Sequence, residues 1–117
     1  MTNEPYLLLK TAGVIFLVDI FWLLTGGIYA RRMTERIQGK PIEVRFVSAA
    51  MVYFFLAFML LQTKSAKEAF LYGVAIYGVY DFTNHAVLDQ YDWKFAIADT
   101  LWGGVLFVVA RHLLKAF

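Results

Sequence analysis

The chain has 117 residues, of which 61% are hydrophobic and 18% aromatic, with a mean hydropathy of +0.60. One domain fits in that length, and a water-soluble domain so small could not cover this many Phe, Leu and Val side chains, so a membrane protein is expected. A net charge of +2 is too mild for a nucleic-acid partner, and the absence of Cys excludes disulfides, iron–sulfur clusters and thiolate chemistry.

The first apolar segment runs from about Tyr6 to Ala30 and is interrupted only by Lys10 and Asp19. About 20 helical residues cross a bilayer core, so this segment predicts a tilted span. It does not read as a signal peptide, because MTNEP has no positive charge and the apolar run is long, with an Asp in its middle. RRMTERIQGKPIEVR, from Arg31 to Arg45, is polar, and Gly39 and Pro41 break helices, so a hinge is expected there. The second span is expected from about Val44 to Leu61, with Ala49, Tyr53 and Ala57 on one stripe where small residues let helices approach in lipid.

QTKSAKE forms a short link, and Ser65 with Glu68 makes a capping-box pattern at the head of a third span from about Lys67 to Leu88. Gly73, Tyr77, Asp81 and His85 recur every four residues there and, with Asn84, share the most polar helix face in the chain. After DQYDWK, a fourth span is expected from about Trp93 to Leu113, with Ala96, Asp99, Gly103 and Ala110 facing inward. Tyr91 and Trp93 suit the membrane interface. Four spans on short links predict an all-α fold, an up-and-down bundle of four transmembrane helices forming one domain over residues 1–117. Arg31, Arg32, Arg36, Lys40, Arg45 and Lys94 fall on one side and Lys10, Lys64, Lys67, Arg111 and Lys115 on the other. The dense first loop points to a cytoplasmic position for loops one and three, with both termini outside.

Ionisable groups inside a span are costly and mark function or pairing. The expected polar cluster is Asp19, Asp81, Asn84, Asp99 and Trp102, with Trp22, Arg45, Tyr53, Tyr77, Tyr80 and His85 as supporting neighbours. Asp81 and Asp99 should share a depth with Arg45 as counter-charge, while Asp19 should lie roughly 17 Å in, near the midplane. Three roles are open for this cluster: polar glue between helices, a proton or cation site or pathway, and a site that binds or modifies a lipid or another amphipathic ligand. Proton or cation binding and conduction leads, and a homo-oligomer would supply a pore that four short helices cannot build alone. No metal, cofactor or catalytic residue is expected: the chain has two histidines, His85 and His112, at opposite ends of the bundle, and no phosphate loop or nucleophile elbow. Membrane lipids are the expected surroundings.

DIFW at Asp19–Trp22 and DTLW at Asp99–Trp102 share an Asp-x-x-Trp spacing, each followed by a Gly pair. A duplicated two-helix unit would match the first span to the third rather than the fourth, so the recurrence reads as local similarity.

YGVYDFTNHAVL followed by the Asp99–Gly104 stretch DTLWGG resembles the signature half of an uncharacterised family of small predicted multi-pass membrane proteins from bacteria and large algal viruses. Its motifs, Y-G-x-Y-D-x-T-N-x-A and D-x-x-W-G, are matched by Tyr77, Gly78, Tyr80, Asp81, Thr83, Asn84, Ala86, Asp99, Trp102 and Gly103. The resemblance covers nearly the whole chain. It implies a compact multi-pass protein with Asp81, Asn84, Asp99 and Trp102 in one site, leaves His85 outside the pattern and implies no activity.

Overall fold

The computed structural model describes residues 4–116. It is all-α, with α1 over Glu4–Leu23, α2 over Gly26–Gln38, α3 over Phe46–Leu61, α4 over Ala66–Val87 and α5 over Trp93–Ala116. Five helices therefore replace the expected four. The extra one arises because the segment expected to run unbroken from Tyr6 to Ala30 stops at Leu23, and because most of the expected polar hinge is helical. At the break the Thr25 hydroxyl bonds back to the Phe21 carbonyl at 2.8 Å and occupies one acceptor left free at the end of α1. A Cβ at Gly26 would lie 2.6 Å from the Trp22 ring, so the missing side chain is what lets that indole fold over the bend.

α2 is amphipathic. Met33 is buried and Ile37 half-buried on one face, while Arg31, Arg32 and Arg36 are exposed on the other. It ends at Gly39, whose left-handed φ of 74° closes the helix with a backbone bond to Glu35. The non-helical link is thus only residues 39–45.

α4 begins as its sequence predicts. Ser65 Oγ accepts from the Glu68 amide at 3.1 Å, and Glu68 Oε1 reaches back to the Lys64 amide at 2.9 Å, one residue before the position an ideal capping box would use. α4 then packs antiparallel to α5 in the tightest contact of the fold. A Cβ at Gly73 would fall 2.1 Å from the Gly103 carbonyl oxygen, and one at Gly103 would fall 2.6 Å from the Gly73 oxygen. Two backbones meet here with no side chain between them, the small-residue packing typical of helices in lipid.

α1 packs on α5 and α3, and α3 touches α4 only lightly. Ile15, Leu60, Leu106 and Phe107 fill the centre with Ala12, Ala57, Ala69 and Ala110. At one end of the bundle Arg111 Nη1 donates to the Thr63 carbonyl at 3.0 Å and ties α5 to the α3–α4 turn. At the other end, Met33 of α2 packs with Tyr91 and Ala96. Around this core the surface is widely apolar: Phe46, Val47, Phe55, Val79 and Leu101 all stand exposed. A water-soluble protein rarely exposes so many large apolar side chains. Two helices, Pro5–Leu23 and Trp93–Ala116, are long and apolar enough to cross a membrane, and Phe46–Leu61 is apolar but shorter. α4 is long enough but carries Lys67, Glu68, Asp81, Asn84 and His85.

Candidate functional site

The carboxylates gather at the end of the bundle that α2 covers. Asp99 lies six residues into α5 and Asp81 six residues before the end of α4. Asp19 is four residues from the end of α1, roughly 6 Å at the helical rise, so it joins them near that end of the bundle instead of lying midway along its helix. The expected greater depth rested on the long first helix, which the break at Thr25 removes.

Asp19 and Asp99 are held by each other's motif. Trp102 Nε1 donates to Asp19 Oδ1 at 2.8 Å, and Trp22 Nε1 donates to Asp99 Oδ1 at 2.8 Å. The two indoles stack between them with ring centroids 5.4 Å apart and planes 11° from parallel. The pairings 19–102 and 22–99 place α1 antiparallel to α5, so the two Asp-x-x-Trp turns are related by a local twofold axis across the helix pair. The recurrence is therefore more than local similarity: it is one reciprocal contact made twice. Asp19 has a second donor, Tyr53 OH at 2.6 Å from its other oxygen, and Phe16 meets the Tyr53 ring edge-on.

Asp81 is fully buried. Tyr91 OH donates to its Oδ1 at 2.7 Å, while its Oδ2 and the hydroxyl of Thr100 have no hydrogen-bond partner among the described residues. The Asp99 carboxyl and Thr100 are its polar neighbours on α5. Tyr77 stands among all three carboxylates with its ring against Gly103. Asn84 lies beside Tyr80 and Tyr91.

Two expected neighbours are not brought in. Arg45 is exposed ahead of α3 and makes no ion pair with a carboxylate among the described residues, so it is not their counter-charge. His85, one turn beyond Asp81 on α4, is exposed near the end of that helix. No group of three or more His, Cys, Asp or Glu residues able to hold a metal ion exists among the described residues. Tyr91, expected at the membrane interface, is instead buried against Asp81, and burial first, then that hydrogen bond, pushes its hydroxyl above the usual range. Its place depends on the left-handed Gln90, φ 68°, which turns the link back under α4. No residue pattern advertises that turn.

A cavity of about 200 Å³ opens between α2 and the bundle, lined by Asp19, Trp22, Ala30, Met33, Tyr77, Tyr80, Tyr91 and Asp99 among others. Its cover is anchored outside the apolar zone: Tyr29 OH bonds the Asp92 carboxylate and the Tyr29 ring stacks on Phe95 at 5.8 Å. The Tyr29 bond lowers the Asp92 pKa from its usual value. The arrangement offers a chamber with two carboxylates, three phenols and the Trp22 indole on its walls and no cationic side chain among its lining residues.

A family model described as "Predicted membrane protein (DUF2177)" matches residues 6–113. No curated protein and no solved structure matches the chain significantly.

Proposed function

The chain belongs to that family of predicted membrane proteins, and from this premise we propose that it is a multi-pass protein whose carboxylate cluster binds protons. In this reading α1, α3, α4 and α5 cross the bilayer and α2 lies along its surface with its arginines toward the headgroups, as amphipathic helices do. One observation carries the function: Asp19, Asp81 and Asp99 converge on Trp and Tyr donors with no basic side chain among them. Two carboxyls in contact in a low-dielectric interior cannot both be charged, so Asp81 and Asp99 share a proton. The donorless Oδ2 of Asp81 beside Asp99 is where a shared proton would satisfy both groups. The titratable groups facing this pair are Asp19 from α1, Tyr53 from α3, Tyr77 and Tyr80 from α4 and Tyr91 from the link.

Binding is better supported than conduction through one chain. Below the cluster the centre is filled by Ile15, Leu60, Leu106 and Phe107, with Thr11 the fully buried polar side chain on that side. A channel needs a wet or polar route, and these residues oppose one. A homo-oligomer could supply a path between protomers, and a monovalent cation could replace the proton in the same chamber.

The structural reading, polar glue between helices, is favoured by the Trp or Tyr bond that each carboxylate accepts. Infrared difference spectroscopy between acid and neutral pH in membranes separates the two. Asn keeps an acceptor oxygen, so Asp81→Asn and Asp99→Asn would preserve glue while removing the protonated-carboxyl band of that pair. Exposed carboxylates give the same acid band in both proteins, so a wild-type spectrum with no carboxyl band beyond that of the double variant overturns proton binding.

A further inference from the structure

The cluster has a second opening, sideways. Because α3 and α4 touch only lightly, a groove of about 430 Å³ lies between them, walled by Val52, Phe55, Leu56 and Ile76 and floored by Tyr77, Tyr80 and Asp99. Its volume lies in the range of small-molecule sites, about 300–1,000 Å³. Val52 and Phe55 are exposed on the apolar outside of the bundle, so the groove opens where acyl chains would lie. At its inner end Asp99 is 7% exposed, and its Oδ1 is taken by Trp22 while Oδ2 accepts no hydrogen bond from a donor among the described residues. Tyr77, Tyr80 and Asp99 also line the chamber under α2, so groove and chamber meet at that carboxylate.

We infer that this groove binds a single-chain amphiphile carrying a cationic amino head group, taken up laterally from the bilayer, with its chain between α3 and α4 and its ammonium at Asp99. Charge complementarity selects the head. Three carboxyls without a basic partner attract a cation and repel a phosphate or carboxylate, and the aromatic rings of Tyr77 and Tyr80 add cation–π attraction. The groove's size selects one chain, since the paired chains of a phospholipid would not enter it together. An ammonium there would supply the donor that Asp99 Oδ2 lacks and would compete with the proton, so the inference rests on the proton-binding reading of the same cluster.

The test uses full-length protein in lipid nanodiscs on a Trp93→Phe background, so that fluorescence comes from the stacked Trp22 and Trp102. Dodecylamine, dodecanol and dodecanoic acid are titrated separately. The amine should give a saturable change, with the alcohol and the acid at least tenfold weaker. Asp99→Asn, and independently Val52→Phe, which fills the groove and leaves every carboxyl in place, should each weaken the amine at least tenfold. Equal affinity for the three compounds, or an undiminished amine response in Val52→Phe, overturns the inference. Loss of amine selectivity while the protonated-carboxyl band persists sinks this inference alone, whereas absence of the band sinks the proton reading.

Discussion

Trp102 reaches across from α5 to donate its indole N–H to Asp19 on α1 at 2.8 Å, and the inverse bond runs from Trp22 to Asp99. Replacing Trp102 by Phe keeps a ring in the stack but leaves one Asp19 oxygen without its donor. A bond to a buried, charge-bearing acceptor is worth about 1–3 kcal/mol, so Trp102→Phe should lower unfolding stability by that much in detergent. Trp22→Phe should cost a similar amount. A double-mutant cycle with Asp19→Asn should show coupling between 19 and 102 and little between 19 and 22, which share a helix but not a bond.

The α4–α5 contact yields a contrast between glycines. Gly73→Ala would push a methyl into the Gly103 carbonyl, 2.1 Å away. Backbone cannot step aside as a flexible side chain can, so the loss should reach or exceed the roughly 1–3 kcal/mol of ordinary overpacking. Gly13→Ala meets nothing within 4 Å and should be neutral or stabilise by up to about 1 kcal/mol through helix propensity. Thermal unfolding of the two variants side by side checks both.

The link after α2 should respond to acid. Glu35 Oε2 accepts from the Ile42 amide at 3.1 Å and from Arg31 Nε at 3.3 Å, and the Ile42 bond chiefly lowers its pKa below the ordinary glutamate value. A carboxylate with a depressed folded pKa lends its stabilisation above the unfolded value, near 4.3, and loses it as pH falls through the folded one. Hydrogen exchange at Ile42 should therefore be slow at neutral pH and speed up, beyond the intrinsic trend, in that acidic window. In Glu35→Gln the window should vanish.

Detaching α2 should open the chamber. Tyr29→Phe removes the bond to Asp92 while keeping the stack on Phe95. The chain has no native Cys, so a single Ala30→Cys, on the chamber wall, reports access without background. Maleimide labelling of Ala30→Cys should accelerate several-fold when Tyr29→Phe is added. Equal rates would mean that Tyr29 does not hold the helix down.

The membrane class of the protein could be read from composition, the start of α4 from its Ser65 cap, and the start of α5 at Trp93 from the end of the short DQYDWK link. So could the convergence of Asp81 and Asp99, since both lie within two turns of one short link. Three features were not legible, for separate reasons. The stop after Leu23 depends on Thr25 turning its hydroxyl onto Phe21 and on Trp22 folding over Gly26, both tertiary matters within a uniformly apolar run. The α2 helix is hidden because charges in RRMTERIQ suggest a loop, while its narrow apolar stripe at Met33 and Ile37 shows only once something covers it. The reciprocal motif was visible as a recurrence, but comparison in chain order matches first span to third. The contact runs antiparallel between first and last, a relation that spacing cannot express.

That twofold relation means that neither tryptophan holds the cluster alone. Each of Asp19 and Asp99 is gripped by the indole of the opposite helix, so parting α1 from α5 strips a donor from both at once. The pair is a latch with two matching halves, and a change that loosens one half leaves the other still closed.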